Sequence, residues 1–190
     1  TPNTYVRSAK VLIDESSQDA AMRNLGVSTA NMMRLRSSNT VMNEIEAFSS
    51  PDLMEVVVDR LGLQTKYVEK QFLRKVELYK NSPIEMVLAG ENPHSGFSFT
   101  VSNAKNGNVI LSDFRMRDEK IKETVKGHLG DTLKTPFGSV VIYPTENIDK
   151  FSDDIVVSWA NCMTRAKSYC GKMNVSLSGK ETSVIVLSME

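Results

Sequence analysis

The chain has 190 residues, of which 41% are hydrophobic and 24% charged. That usage excludes a disordered chain, and the length supports either one domain with its own core or two small lobes sharing one. Lys plus Arg and Asp plus Glu number 23 each, so there is no general basic field to draw nucleic acid and only a local patch could do so.

In chain order, Tyr5 to Ile13 reads as a first strand, with Tyr5, Ala9, Val11 and Ile13 on one face. Asp14 to Ser38 is polar and Met-rich; it reads either as a loose helix around Ala20 to Leu25, interrupted by Gly26, or as a mobile loop. Met32, Met33 and Met42 read as fillers of a core gap in preference to an adaptable contact surface. Asn43 to Leu63 carries the strongest local signals, two short helices with a proline-marked joint. Ser50 is suited to cap the second helix, Pro51 fits its first turn, and Asp52 complements the dipole. Leu53, Val57 and Leu61 recur every four residues and predict the buried face, with Met54 and Val58 beside it. Val57 is central to that face, so an aspartate there is expected to unfold the domain. Gly62 suits a left-handed C-cap, with Leu63 folding back on the last turn.

Thr65 to Leu78 starts with mixed polarity and enters a strand at VELY. Asn81-Ser82-Pro83 is a turn and Ile84 to Leu88 a short strand. Phe97, Phe99 and Val101 alternate with Ser98, Thr100 and Ser102, which predicts a half-buried strand facing the core. Asn106-Gly107 is a tight hairpin signal, with Val109 to Phe114 returning. Arg115 to Lys126 reads as an exposed strand or a loop, and Gly127 to Asp131 as a turn. Thr132 to Lys134 and Ser139 to Tyr143 flank Pro136-Phe137-Gly138 as a second hairpin, which Pro144 ends. Ile155 to Trp159 is another strand. Asn161 caps a helix that Gly171 ends, and Val175 to Ser178 and Ser183 to Ser188 are the last strands, with Lys180-Glu181 at their turn. Hairpin-linked strands predict an α+β fold, a mixed, largely antiparallel sheet with helices packed on one face. The doubly wound nucleotide fold needs a β-α-β alternation that is missing here.

The sequence offers little chemistry. It has neither a phosphate loop nor a dinucleotide fingerprint. His94 and His128 lack a second histidine at metal-ligand spacing, and His94 reads as a solvated loop residue. Cys162 and Cys170, eight apart in a helix, would have Cα atoms roughly 12 Å apart, too far for a disulfide. Cys170 with His128 as nucleophile and base has nothing to bring the two together. Asp113 with Asp118, or Asp153 with Asp154, could imitate a glycosidase carboxylate pair. Arg115, Arg117, Lys120, Lys122 and Lys126 are interleaved with Asp118, Glu119 and Glu123; they read as a solvated face or as a contact for an acidic polysaccharide. No catalytic, cofactor-binding or metal-binding residue is assigned, and no cofactor is expected. No apolar run approaches the roughly 18 residues that cross a bilayer, and no signal-peptide pattern opens the chain. Its start, Thr1-Pro2-Asn3 rather than Met, reads as that of an excised piece.

Several segments carry a family resemblance. NEIEAFSSPDLMEVVVDRLGL resembles the "N-E-I-E … S … L … V … L-G-L" segment of bacterial polysaccharide chain-length determinants, the Wzz-type co-polymerases and their relatives fused to tyrosine autokinases. TPNTYVRSAKVLID is similar to that family's first extracytoplasmic strand. VELYKNSPIEMVL resembles the "L-Y-x-x-S-P-I" segment of its Bacteroidetes-like members, and GDTLKTPFGSVVIYPT their "T-P-x-G" hairpin. NVSLSGKETSVIVLSME resembles the strand pair before the long coiled-coil helix. The resemblance runs from about Tyr5 to Glu190. It implies a non-enzymatic, periplasmic domain, residues 1–190, of an inner-membrane protein that sets chain length in capsule, exopolysaccharide or O-antigen (lipopolysaccharide) biosynthesis. It further implies a homo-oligomeric parent that works with the polysaccharide polymerase, contacts with the growing polysaccharide, no nucleic-acid partner, and a membrane attachment through flanking helices outside this segment. The isolated segment is expected to be monomeric or weakly associated. The competing reading is a periplasmic carbohydrate-processing enzyme that uses one of the carboxylate pairs.

Overall fold

The computed structural model describes residues 6–13, 41–71, 74–90, 93, 95–117, 119–179 and 182–189. The expectations for Asp14 to Ser38, Met32, Met33, His94, Asp118 and Lys180-Glu181 lie outside these residues. The chain forms two compact units, one of residues 1–57 and 166–190, the other of residues 58–165. Every strand pair described is antiparallel, and the fold is α+β.

The first unit is built from both ends of the chain. β1 (Arg7–Leu12) pairs with β13 (Val184–Met189), and β13 pairs with β12 (Met173–Leu177) on its other side. Register puts Val11, Ile185 and Leu177 in one cross-strand row and Ala9, Leu187 and Val175 in the next, so one face of this sheet is apolar, as strand alternation requires. Ile185, at its centre, is fully buried. The unit also holds α1 (41–49) and the start of α2 (Pro51–Arg60).

Capping of α2 follows the sequence. Ser50 Oγ accepts from the Asp52 N–H at 3.1 Å. At the other end Gly62 takes φ +64, the Leu63 N–H donates to the Val58 carbonyl at 2.9 Å, and the Gly62 N–H to the Asp59 carbonyl at 3.1 Å. These two bonds make a Schellman end, which a side chain at Gly62 would strain. The buried face, however, is not the one expected. Met54 and Val58 are buried, whereas Leu53, Val57 and Leu61 are 43%, 37% and 50% exposed. The reason is that apolar residues span about 200° of the circumference at 100° per residue, so the pattern does not select one side. Val57 is therefore not a core residue. Met42 is 55% exposed and fills no gap.

The second unit has two sheets. The larger runs β3 (Arg74–Glu77), β2 (Thr65–Gln71), β11 (Ile155–Trp159), β5 (Phe97–Asn103), β6 (Asn108–Met116) and β7 (Glu119–Ile121), with β8 (Val125–His128) also paired to β6. The smaller runs β4 (Ile84–Leu88), β10 (Gly138–Pro144) and β9 (Thr132–Thr135). Ile84, Met86, Leu133, Val140 and Ile142 of the smaller sheet share one buried cluster with Tyr67, Phe99, Val101, Leu111, Ile155 and Val157 of the larger. No α-helical residue belongs to this cluster among the described residues. Each sheet has one apolar face, and each takes the other as its partner.

Aromatic rings fill one end of this cluster. Phe97 stacks on Phe137 at 4.8 Å and on Trp159 at 5.6 Å, and Phe114 meets Phe137 edge-on at 5.8 Å. Phe137 comes from the two-residue turn of the β9–β10 hairpin, which Thr135 ties by donating its hydroxyl to the Gly138 carbonyl at 2.7 Å. Tyr67 joins the sheets across the open edge of β4, where its hydroxyl accepts from the Met86 N–H at 2.8 Å. The expected turn from Gly127 to Asp131 begins two residues late, because Gly127 lies within β8. A Cβ there would overlap Leu133 of β9, so the glycine serves a close approach between the two sheets rather than a turn.

Asn161 caps α3 (Cys162–Cys170) through its Oδ1, which accepts from the Thr164 N–H at 2.8 Å. Cys162 and Cys170 are both free, and burial pushes the Cys170 thiol above its ordinary value.

Candidate functional site

The solvent face of the larger sheet holds the most organised polar surface among the described residues. Cross-strand register aligns Lys66, Ser158, Ser98, Arg115 and Lys120 in one row. The row beside it runs Val68, Val156, Thr100 and Ser112. Residues directly opposite in antiparallel strands share a face, so small hydroxyls occupy the middle of this sheet and cations its two sides.

A β-bulge shapes the row. Ser98 pairs with Arg115 and Thr100 with Ser112, so β6 places two residues, Asp113 and Phe114, opposite Phe99 alone. Asp113 takes φ +54 to do so. The extra residue shifts the alternation: Val109 and Leu111 face the core, and then so does Phe114. It also sets the Asp113 carboxylate on the solvent face, where Lys120 donates to Oδ1 at 2.9 Å and Lys70 lies 3.8 Å from Oδ2. Hydrogen bonding and charge from Lys120, with smaller help from Lys70 and Arg115, hold the Asp113 carboxyl below its ordinary value. Lys70 also donates to the buried Thr100 hydroxyl at 2.9 Å.

Arg115 and Lys120 are directly opposite each other, an unfavourable like-charge pairing. Asp113 takes up the lysine. The Arg115 guanidinium makes no side-chain hydrogen bond or ion pair among the described residues, though its charge acts on Asp113. It borders an open recess of about 240 Å³ lined also by Gly96, Ser98, Arg117, Ser158 and Arg165. The arginines are held to different degrees. Arg165 Nη2 donates to the Gln64 and Ser158 carbonyls at 3.0 and 3.1 Å, and Arg117 Nη2 to the Ser95 hydroxyl at 3.3 Å. Among the described residues the lining thus has three guanidinium groups and no carboxylate, in a chain whose formal charges balance.

The other sequence candidates fare differently. Lys120 is committed to Asp113, and Lys126 lies on β8 opposite Ile110, so of the basic run only Arg115 and Arg117 reach the recess. Asp154 is engaged by the Ser102 hydroxyl at 2.6 Å, and Asp153 by Ser152 at 3.4 Å. A glycosidase acid needs a raised pKa, whereas Asp113 is shifted the other way. His128 is exposed, its Nδ1 2.9 Å from the Leu129 carbonyl oxygen, and it falls in a different unit from Cys170. Among the described residues, no group of three or more His, Cys, Asp or Glu side chains is placed to hold a metal ion. Arg165, Ser98 and Ser158 had no signal in the sequence, because register and α3 bring them together from three separate segments. Comparison with models of known protein families and with characterised sequences finds no match.

Proposed function

We propose that the chain is the periplasmic, membrane-proximal domain of an inner-membrane chain-length determinant for capsule, exopolysaccharide or O-antigen (lipopolysaccharide), acting without catalysis. What carries this is the pairing of β1 with β13. Arg7 at the start of β1 lies opposite Met189 at the end of β13, and the strands are antiparallel, so the polypeptide enters and leaves this sheet at one end. That arrangement suits a domain held between two membrane helices, whose ends lie at the same membrane surface. No helix among the described residues is long and apolar enough to cross a membrane; the proposal assigns the spans to flanking segments. In the same proposal the parent is a homo-oligomer that works with the polysaccharide polymerase, and the ordered segments that resemble the chain-length determinants support it.

The test is deletion of the parent gene in its native host, with surface polysaccharide resolved by length on gels. The expected result is loss of the preferred chain length while polymer is still made. An unchanged length profile overturns the proposal.

A further inference from the structure

We propose that the arginine-lined recess binds an oxyanion group, a carboxylate or phosphate, carried by an acidic saccharide. The source of that saccharide, the growing polymer, rests on the function proposed above; the chemistry of the site does not. Three features of the recess support the assignment.

The first is charge. Arg115, Arg117 and Arg165 line one recess with no carboxylate among its described lining residues. Guanidinium forks match planar oxyanions in two-bonded geometry. The second is preorganisation. Arg165 is fixed by two backbone carbonyls and Arg117 by Ser95, while the bulge at Asp113 removes Lys120 from competition and leaves Arg115 available. Binding then costs less ordering of long side chains. The third is the hydroxyl content. Ser98 and Ser158 are cross-strand neighbours within the lining, and hydroxyls that both donate and accept suit the hydroxyl groups of a sugar ring.

The chain is titrated calorimetrically with a short oligogalacturonate at low ionic strength and again at about 0.15 M salt. A neutral maltooligosaccharide of equal length, inorganic phosphate and phosphatidylglycerol vesicles are run in parallel. The variants are Arg115→Gln combined with Arg117→Gln, and Lys10→Gln on β1 as the control, each checked for folding by Trp159 emission. The expected outcome is binding of the oligogalacturonate that weakens with salt, falls at least about tenfold in the double variant and is unchanged in the control. Failure of the native chain to bind, equal binding by the double variant, or equal binding of the neutral oligosaccharide overturns the proposal. So does inorganic phosphate binding as tightly as the oligogalacturonate, which would mark a free-anion site. Vesicle binding that depends on the two arginines while the oligogalacturonate is ignored overturns it in favour of a lipid surface. The titration needs no polymerase or membrane, so its failure leaves the gene-deletion result standing, and an unchanged polymer profile leaves the titration standing.

Discussion

Replacing Tyr67 with phenylalanine removes one oxygen atom from the junction between the two sheets. The Tyr67 hydroxyl accepts from the Met86 N–H at 2.8 Å, and Met86 itself is buried on β4, at the edge of its sheet. In Tyr67→Phe that N–H keeps its burial and loses its acceptor, at a cost of about 1–3 kcal/mol. The pH dependence gives a second, independent reading. Burial is the main force that pushes the Tyr67 phenol up to about 12, with the Met86 bond opposing and the Glu85 charge adding a little. A tyrosine in the unfolded chain ionises near 10. The folded value is the higher of the two, so the phenol's contribution is fully present below about pH 10 and is lost as pH rises through 12. That gap corresponds to about 2–3 kcal/mol. The wild-type advantage over Tyr67→Phe should therefore be about 1–3 kcal/mol at pH 8 and close to nothing by about pH 11.5. Urea unfolding followed by emission of Trp159, the single tryptophan and a buried member of the same cluster, measures both. A variant as stable as wild type at pH 8, or a difference that stays constant up to pH 11.5, would refute this account of the junction.

Val58→Asp should unfold the protein, because an unpaired buried charge costs several kcal/mol, whereas Val57→Asp should cost less than about 1 kcal/mol; thermal melts that rank the two the other way round would show that α2 buries its other face. Asp113→Gly should keep the bulge, while Asp113→Val should lose about 1–3 kcal/mol, since a β-branched residue resists the left-handed backbone there, as denaturant midpoints will show. Lys120→Gln should raise the Asp113 pKa toward its ordinary value in an NMR titration. The native carboxyl is held low, so the interaction stabilises above the ordinary carboxylate range and fades as pH falls; a titration unmoved by the substitution would assign the depression to Lys70 instead.

The strands were legible where one face is apolar and the turn chemistry is specific. Phe97, Phe99 and Val101 alternate without ambiguity and are buried, and Asn106 takes the positive φ that its hairpin demands. The caps of α2 and α3 were equally readable, because a cap is a contact within a few residues. Two features were not. The buried side of α2 depends on what covers it, and its wide apolar arc leaves that open. The recess depends on register: Arg115 meets Ser98 only because one extra residue in β6 shifts the pairing, and the extra residue is an aspartate, without the glycine that would have announced a left-handed backbone. The basic run was visible as charge, but which of its members remain available was set by Asp113, Lys70 and Lys120 together.

The pairing of β1 with β13 also fixes an order of events during synthesis. Residues 58–165 form a contiguous unit whose strand pairing does not depend on the last strand. β1 is made before the second unit, yet its partner strand begins at Val184, after it. At about 5–20 residues per second, β1 waits roughly 10–35 s with an unpaired edge. Such an edge invites pairing with other chains. Arg7 and Lys10 place charge on β1 during the wait, and they keep that use afterwards, because β1 remains an edge strand of the finished sheet.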